Sequence, residues 1–460
     1  MQPLLTIVLA AGKGTRMKSA LPKVLHPIAG LPMVCHVLHA ARTAGAGLSA
    51  VVVGPGMERV AREARRENEQ IEVFVQEEQL GTGHAVLAAR RLLERHGGDV
   101  MVLYGDTPLI GGKTLKALRA ALDDGAAVAV LGFRPADPSG YGRLLTDGVG
   151  DLIAIREEKD ASEGERAVGF CNSGVMAFRT PSLLSILDRI SNENAKGEYY
   201  LTDAIEIARA DGLRAAAVEC PERDVMGVNS RDQLAAAEAI WQEGRRREVM
   251  LGGATLIAPE TVWFSYDTRI GQDVVIEPNV FFGPGVTVED RVTIKANSHI
   301  QGFDQKSRAG VIIRSGAEIG PFARLRPGAD VGADVHIGNF VEVKNAKMGA
   351  GAKANHLAYL GDGEVGAGAN IGAGTIFCNY DGYFKHETII GPGAFIGSNS
   401  SLVAPVKIGE GAYVASGSVV TKNVSDNALA ITRPEQAERP GWAAKFRTMM
   451  ERRKTGRAAE

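Results

Sequence analysis

The chain has 460 residues, 45% of them hydrophobic, with 52 Lys and Arg against 54 Asp and Glu for a formal charge of −2. That length and apolar content supply core for two or more domains, and the balanced charge leaves no basic footprint for a nucleic-acid partner. Cys35, Cys171, Cys220 and Cys378 are scattered without a CxxC pair, which argues against a disulfide framework or a zinc site and for a reducing, cytoplasmic compartment.

In chain order, residues 4–11 form an apolar run with no basic leader that leads straight into Gly12-Lys13-Gly14-Thr15-Arg16, so they read as a buried first strand and not as a signal peptide or a membrane-inserted span. Further strands are predicted at 50–54, 71–76, 100–106 and 127–133, with amphipathic helices at 33–44, 57–67, 84–96 and 113–123. Strand and helix in alternation imply an α/β fold with a doubly wound, mostly parallel, Rossmann-like sheet, whose ligands bind at the carboxyl ends of the strands. This gives a first domain over 1–230, then an Ala-, Glu- and Arg-rich helix at 231–253 read as a linker, and a second domain over 254–460.

The second domain has its own rhythm. Aliphatic or aromatic residues recur every six places at Ile270, Ile276, Phe282, Val288, Ile294 and Ile300, resume at Ile313, Ile319, Leu325, Val331, Ile337 and Val343, and close with Ile390, Ile396, Leu402, Ile408, Val414 and Val420. Neither a helix, with its period of 3.6, nor a lone sheet, with its period of 2, accounts for this, and Gly at the corners points to a parallel β-helix of hexapeptide repeats. Such a coil is filled by its own side chains, so chemistry belongs on its outer faces or between subunits. Three flat faces and polar groups that need enclosure predict a homotrimer. The basic tail after Arg433 is expected to be irregular, lying on a neighbouring subunit or remaining mobile.

The first predicted strand ends in Leu9-Ala10-Ala11-Gly12-Lys13-Gly14-Thr15-Arg16, with Pro22-Lys23 close behind. Two glycines after a strand let backbone N–H groups approach a phosphate, and Lys13, Arg16 and Lys23 add positive charge. The bland alternative is a tight turn. Gln76, Gly81-Thr82-Gly83-His84 and Tyr104-Gly105-Asp106 also fall at carboxyl ends of predicted strands. Two readings stand for Asp106: a ligand to a hard cation beside phosphate, or the N-cap of a helix starting near Thr107-Pro108. His84, at a helix start, reads as structural.

In the repeat region the frame shortens near Lys344–Met348 and near 360–365, then breaks in a loop over 377–388. Around these irregularities lie Arg326, Lys344, Asn355, His356, Tyr359, Asn370, Asn379 and Tyr380, none of which a regular coil needs for its core. His356 is either a corner residue bonded to backbone or, with cations beside it, a proton acceptor; Asp362 and Glu364 are the nearby carboxylates for orienting its ring. Cys378 lacks a local base, which disfavours an acyl-enzyme.

The motifs L-A-A-G-K-G-T-R-M with Pro22-Lys23, Gln76 with Q-L-G-T-G-H-A, Y-G-D, G-Y-G-R (140–143), E-E-K-D (157–160), C-N-S-G (171–174), G-E-Y-Y-L-T-D (197–203) and G-V-N-S-R (227–231) occur in the order seen in sugar-phosphate nucleotidyltransferases. Joined to the hexapeptide coil, the chain resembles the GlmU family over nearly its whole length. These bifunctional bacterial enzymes acetylate glucosamine-1-phosphate from acetyl-CoA and then uridylate the product with UTP, giving UDP-N-acetylglucosamine for peptidoglycan and lipopolysaccharide. The resemblance implies a left-handed coil and Mg²⁺ held by Asp106 and Asn229. It implies that Leu9, Ala10, Ala11, Gly12, Gln76, Gly81 and Thr82 hold uracil and ribose, with Tyr104 and Gly105 at the same site. Lys23 would meet phosphate, and Gly142, Glu157 and Asn172 would hold the N-acetylglucosamine part.

For the second site, the resemblance implies that Arg326 and Lys344 bind sugar phosphate, that His356 is the general base, and that Tyr359 and Asn370 orient the sugar. Ala373, Asn379, Tyr380, Ser398, Ser416 and Arg433 would face acetyl-CoA. Two positions depart from the family pattern: Ser416 stands where Ala is common, and Asn355 precedes His356 where Gly is frequent. The competing readings are a single-function nucleotidyltransferase whose coil only oligomerises or binds an effector, and a nucleotide-sugar-responsive scaffold without turnover. The Arg326, Lys344, His356 and Tyr359 set separates the bifunctional reading from both.

Overall fold

A computed structural model describes residues 2–194, 196–304 and 307–457. The chain divides into two compact units: the first runs to Leu251 and takes in Trp263–Thr268, and the second comprises Gly252–Val262 and the chain from Arg269 onward.

In the first unit the nine-stranded sheet contains β1 (Leu4–Leu9), β2 (Leu48–Val53), β3 (Glu72–Val75), β4 (Asp99–Tyr104), β5 (Val128–Phe133), β6 (Arg143–Thr146), β7 (Leu152–Arg156), β8 (Cys171–Arg179) and β9 (Ala215–Glu219). Its order is β9-β5-β8-β4-β1-β2-β3, with the β6–β7 hairpin branching from β8; β8 runs antiparallel to β4 and β5, and the other pairs along that order are parallel. Alternate residues of one strand serve opposite cores. Leu4, Val8, Met101 and Leu103 pack with the helices Met33–Thr43 and Gly112–Asp123. Leu5, Ile7, Val100 and Val102 pack with Val86, Leu93, Leu183 and Ile205 on the other face. Each such side chain contributes about 1.5–3 kcal/mol when fully buried, and burial on both faces is why these strands read as continuous apolar runs.

Two predicted elements change shape. The helix expected over 84–96 forms as Thr82–Leu87 and Arg90–Arg95, because Ala88 N bonds Ala85 O at 3.3 Å and Ala89 N bonds Val86 O at 3.0 Å, tightening the chain between them. The helix expected as a linker spans Arg231–Leu251 and lies in the first unit, with Leu234, Ala237 and Trp241 against Ile28, Ala29 and Met33.

The second unit is a parallel β-helix whose short strands stack coil on coil. Along one face Ile276, Ile294, Ile319, Ile337, Ala354, Ile371, Ile396 and Val414 follow one another in register, and all are buried. Where the six-residue frame shortens, the strands Glu342–Met348 and Tyr359–Val365 run through a corner reduced to one left-handed residue, Asn345 (φ 45°) and Asp362 (φ 52°). Their side chains bond each other, Asn345 Nδ2 donating to Asp362 Oδ1 at 2.8 Å. The tail departs from expectation: Trp442–Arg457 is a helix, with the side chains of 442–455 exposed. No helix among the described residues is long and apolar enough to cross a membrane.

Candidate functional sites

The strand order reverses at β1. Its neighbours β2 and β4 diverge there, and Leu9 lies in register with Tyr104, so the segments leaving β1 and β4 open a crevice at the sheet's carboxyl edge. A cleft of about 310 Å³ occupies that crevice, lined by Leu9, Ala10, Ala11, Gly12, Lys23, Gln76, Gly81, Thr82, Tyr104 and Asp106, all singled out in the sequence. Gly105 N donates to Leu9 O at 2.9 Å and ties the two segments together. Gln79 and Glu198 also line the cleft. Neither was singled out in the sequence, although Gln79 sits beside the Gln76 motif and its amide donates to Ala11 O.

One half-buried cation organises the cleft. Lys23 Nζ bonds the Asp106 carboxylate and reaches Asn229 Oδ1 at 2.9 Å, and the Lys23 and Asp106 side chains are 12% and 19% exposed. Asp106 caps no helix, because the next one begins at Gly112. Two oxygens from distant parts of the chain thus converge on a single positive charge, the donor set a hard cation takes. Among the described residues no group of three or more His, Cys, Asp or Glu could hold a metal, so substrate phosphate oxygens and water would complete any Mg²⁺ shell here.

The end of the cleft at Gln76 and Gly81 is closely hydrogen-bonded. Gln76 is buried, and its Nε2 donates to Gly81 O at 3.1 Å and lies 3.1 Å from His84 Nδ1. Gly81 has φ +110°, and a Cβ there would meet Tyr199 O at 2.6 Å. Gly83 N bonds Tyr199 O at 2.8 Å and Leu201 N bonds Thr82 Oγ at 3.0 Å, so the segment 199–201 clamps the glycine-rich loop. The residues expected to hold the sugar come together: Asn172 N donates to Gly142 O at 2.8 Å. A Cβ on Gly142 would come within 3.5 Å of Glu157 Oε1. Burial, with Asp160 assisting and Lys196 opposing, raises the Glu157 pKa above its ordinary value. Tyr104 joins the two regions, since burial, Asp106 and Glu157 all push its phenol pKa upward.

Gly14 sets the Lys23 side chain. Its φ is +61°, and a Cβ there would stand 2.6 Å from Lys23 Cβ. Gly14→Ala is therefore expected to cost about 1–2 kcal/mol for the left-handed backbone, to displace Lys23, and to weaken nucleotide turnover by about tenfold. Steady-state pyrophosphate release measures this, and a parent rate would show that Lys23 tolerates the shift.

In the second unit, register lines up the singled-out residues. Two places after the buried column at Ile337, Ala354, Ile371, Ile396 and Val414 come Asn339, His356, Ala373, Ser398 and Ser416, one per coil. The carbonyls of Asn339, Ala373 and Ser398 each accept a bond from the next coil's corner, from Leu357 N, Asn399 N and Gly417 N at 3.0, 2.7 and 2.8 Å. Arg433 lies beyond, its Cδ 3.8 Å from where a Gly417 Cβ would be. Asn370 sits in the same face, in register with Lys353 and Phe395.

Around the corner, Arg326 precedes Lys344 by one coil, and Arg326 Nη1 donates to Glu342 Oε1 at 2.7 Å while Arg324 reaches Oε2 at 3.3 Å. Glu342 was not singled out in the sequence; it is half-buried here between the two arginines. Asn379 Nδ2 donates to the Tyr359 phenol oxygen at 3.4 Å, and Gly361 leaves room for it, since a Cβ there would lie 2.4 Å from that oxygen.

One expectation is overturned. His356 Nδ1 bonds Asn339 Oδ1 at 2.8 Å, so neither Asp362 nor Glu364 is the group that orients the ring. Asp362 is engaged elsewhere: Asn379 Nδ2 lies 2.5 Å away, Lys385 Nζ 3.2 Å, and Asn345 bonds the other oxygen. Burial works to raise its pKa, but these donors outweigh it and hold the carboxyl below its ordinary value. Asn379 is accordingly buried, whereas Tyr380 beside it is exposed. The loop between them and Thr388 is shaped by Asp381, which accepts from Tyr383 N and Phe384 N and bonds His386 Nε2 at 2.7 Å.

Residues 6–168 match the family described as MobA-like NTP transferase domain, and 267–302 and 387–422 match the bacterial transferase hexapeptide family. The chain is 62% identical over 444 residues to the bifunctional protein GlmU of Azorhizobium caulinodans, covering 96% of this chain and 97% of the relative. The GlmU proteins of Xanthobacter autotrophicus and Sphingopyxis alaskensis are 58% and 55% identical, covering 96% and 98% of this chain and 97% and 98% of their own.

Proposed function

The chain belongs to the bifunctional GlmU family, and on that premise we propose which residues carry each half of its work. It makes UDP-N-acetylglucosamine, transferring acetyl from acetyl-CoA to glucosamine-1-phosphate and then uridylyl from UTP to N-acetylglucosamine-1-phosphate with release of pyrophosphate. The first unit carries uridylyl transfer. Leu9 to Gly12, Gln76, Gly81 and Thr82 hold the nucleoside, Gly142, Glu157 and Asn172 hold the sugar, and Asp106 with Asn229 holds Mg²⁺, which when bound neutralises phosphate charge. The attacking sugar phosphate is already an anion and needs no general base. Lys23, carried on a short side-chain swing from Asp106, meets the phosphates as negative charge builds on the leaving pyrophosphate.

The second unit carries acetyl transfer. His356 takes the proton of the glucosamine amine, Arg326 and Lys344 bind the sugar phosphate, Tyr359 and Asn370 orient the sugar, and Ala373, Asn379, Tyr380, Ser398, Ser416 and Arg433 face acetyl-CoA. The observation that carries this reading is the column in which His356 adjoins Ala373, Ser398 and Ser416 on successive coils. A coil that only oligomerised or bound an effector needs no imidazole in that row. One purified sample is expected to release both pyrophosphate and free CoA thiol under the matching substrates; absence of thiol release would refute the second assignment. The reaction belongs in the cytoplasm, where acetyl-CoA and UTP are both available, and the four free cysteines are consistent with that compartment.

We also propose a homotrimer. Three places after the buried column the corner is left-handed in every coil, and neighbouring coils fill it with Asn279, Asn297, Gly374 and Asn399, residues that tolerate this backbone. The coils at the candidate acetyl site instead place Phe322, Phe340 and Leu357 there, 49%, 56% and 59% exposed, with the two rings stacked at 5.3 Å. Bulky residues in left-handed backbone cost about 1–2 kcal/mol each, and an exposed apolar ridge is a contact surface. Light scattering is expected to give three times the chain mass. Phe322→Asn with Phe340→Asn restores the corner chemistry of the adjacent coils, so it should weaken association without unfolding the coil. An active monomer of the parent chain would refute the trimer.

A further inference from the structure

We propose that Asn339 is the positioning residue that makes His356 a base, by fixing which ring nitrogen carries the proton. The inference rests on the assignment of His356 as the proton acceptor and adds to it the group that sets its tautomer.

Asn339 and His356 occupy the same register position of successive coils, 17 residues apart, and their side chains meet with His356 Nδ1 at 2.8 Å from Asn339 Oδ1. An amide oxygen only accepts, so Nδ1 must carry the hydrogen and donate it. A neutral ring with its proton on Nδ1 leaves the lone pair on Nε2. The opposite arrangement, with the Asn339 amide nitrogen facing Nδ1, would leave the proton on Nε2 and remove the basic lone pair from the outward side of the ring.

The backbone holds both partners in place. Leu357 N donates to Asn339 O at 3.0 Å and Gly374 N donates to His356 O at 3.4 Å, so each residue is fixed by the next coil. Gly338 lets the coils approach closely, since a Cβ there would lie 1.9 Å from Asn355 O, immediately before His356.

The choice of an amide over a carboxylate has a chemical consequence. A carboxylate at this distance favours the imidazolium, which cannot accept a proton, whereas an amide orients the ring without adding negative charge. With Nε2 free, the step balances: the neutral ring takes one proton from the glucosamine nitrogen as the N–C bond forms, the C–S bond breaks, and that proton passes to the departing thiolate to give CoA thiol. The nearby carboxylates, Asp362 and Glu342, are committed to Asn345, Asn379 and Lys385 and to Arg324 and Arg326, which keeps them off the ring.

The test compares Asn339→Leu, Asn339→Asp and His356→Ala in the full-length enzyme, reading kcat, KM and the pH profile of acetyl transfer with uridylyl transfer as the control. Asn339→Leu should lower kcat for acetyl transfer by about 10–100-fold, with KM for glucosamine-1-phosphate within about twofold of the parent. Asn339→Asp keeps the acceptor but adds charge, so it should recover most of that kcat at alkaline pH while moving the acidic limb of kcat/KM to higher pH. A merely structural role would lower kcat without moving that limb. If His356→Ala abolishes acetyl transfer while both Asn339 variants keep the parent kcat and pH profile, the inference about Asn339 fails and the base assignment stands. If His356→Ala itself keeps the parent rate, the base assignment fails first. Parent-like uridylyl turnover and an unchanged thermal midpoint establish that each variant folds.

Discussion

Asp106→Ala is expected to lower pyrophosphate formation by on the order of 10²-fold or more while acetyl transfer continues at the parent rate. The substitution removes one of two oxygens that converge on a single cation from sequence-distant segments, and leaves Lys23 bonded only to Asn229 at 2.9 Å. An amide oxygen alone is a weak ligand for a hard dication, and the phosphates would keep their charge as the leaving group departs. Asp106→Asn separates the two contributions, because it retains an oxygen while removing the charge, and should fall between the parent and the Ala variant. Uridylyl transfer retained in Asp106→Ala, measured at saturating Mg²⁺, would sink the assignment of Asp106 as a metal ligand. Loss of both activities together would point to a folding defect, which the solvent-facing side of this cleft makes the lesser expectation.

How much of this was legible depended on whether the physics was local. The strands of the first unit are buried on both faces, so their apolar runs announce them, and the crevice at the end of β1 follows from the alternation of strand and helix. The six-residue period announces the coil because one buried position per face recurs from coil to coil, as at Ile276, Ile294, Ile319 and Ile337. What the sequence hid was pairing across coils. Asn339 and His356 are 17 residues apart because the corner between them has lost a residue, so counting in sixes passes over their meeting. The same shortening brings Asp362 to Asn345 and Asn379, away from the histidine it was expected to orient. Asp106 presented two readings until the helix start at Gly112 removed one of them. The tail helix Trp442–Arg457 was missed because its basic residues mask a short apolar stripe at Trp442, Phe446, Met449 and Met450, which becomes visible only at helical spacing.

His356→Ala carries the other large expected effect. A positioned base contributes about 10²–10⁴-fold, or roughly 3–5 kcal/mol of barrier, when an amine must shed a proton as it attacks a thioester. Acetyl-transfer turnover should fall by that factor. Uridylyl transfer from supplied N-acetylglucosamine-1-phosphate should remain near normal, because the cleft at Asp106 is built entirely from the other compact unit. The His356 side chain is exposed and its one side-chain bond is to Asn339, so its loss leaves no buried group unsatisfied and should barely move the thermal midpoint. That combination gives the test its force, since a specific catalytic loss with unchanged stability has few other causes. If both activities fell together, the substitution would be acting through the fold or the assembly. If acetyl transfer persisted at the parent rate with an unchanged midpoint, His356 would be a corner residue held by Asn339, and the proton acceptor would have to lie elsewhere on the face shared by Arg326, Lys344 and Glu342.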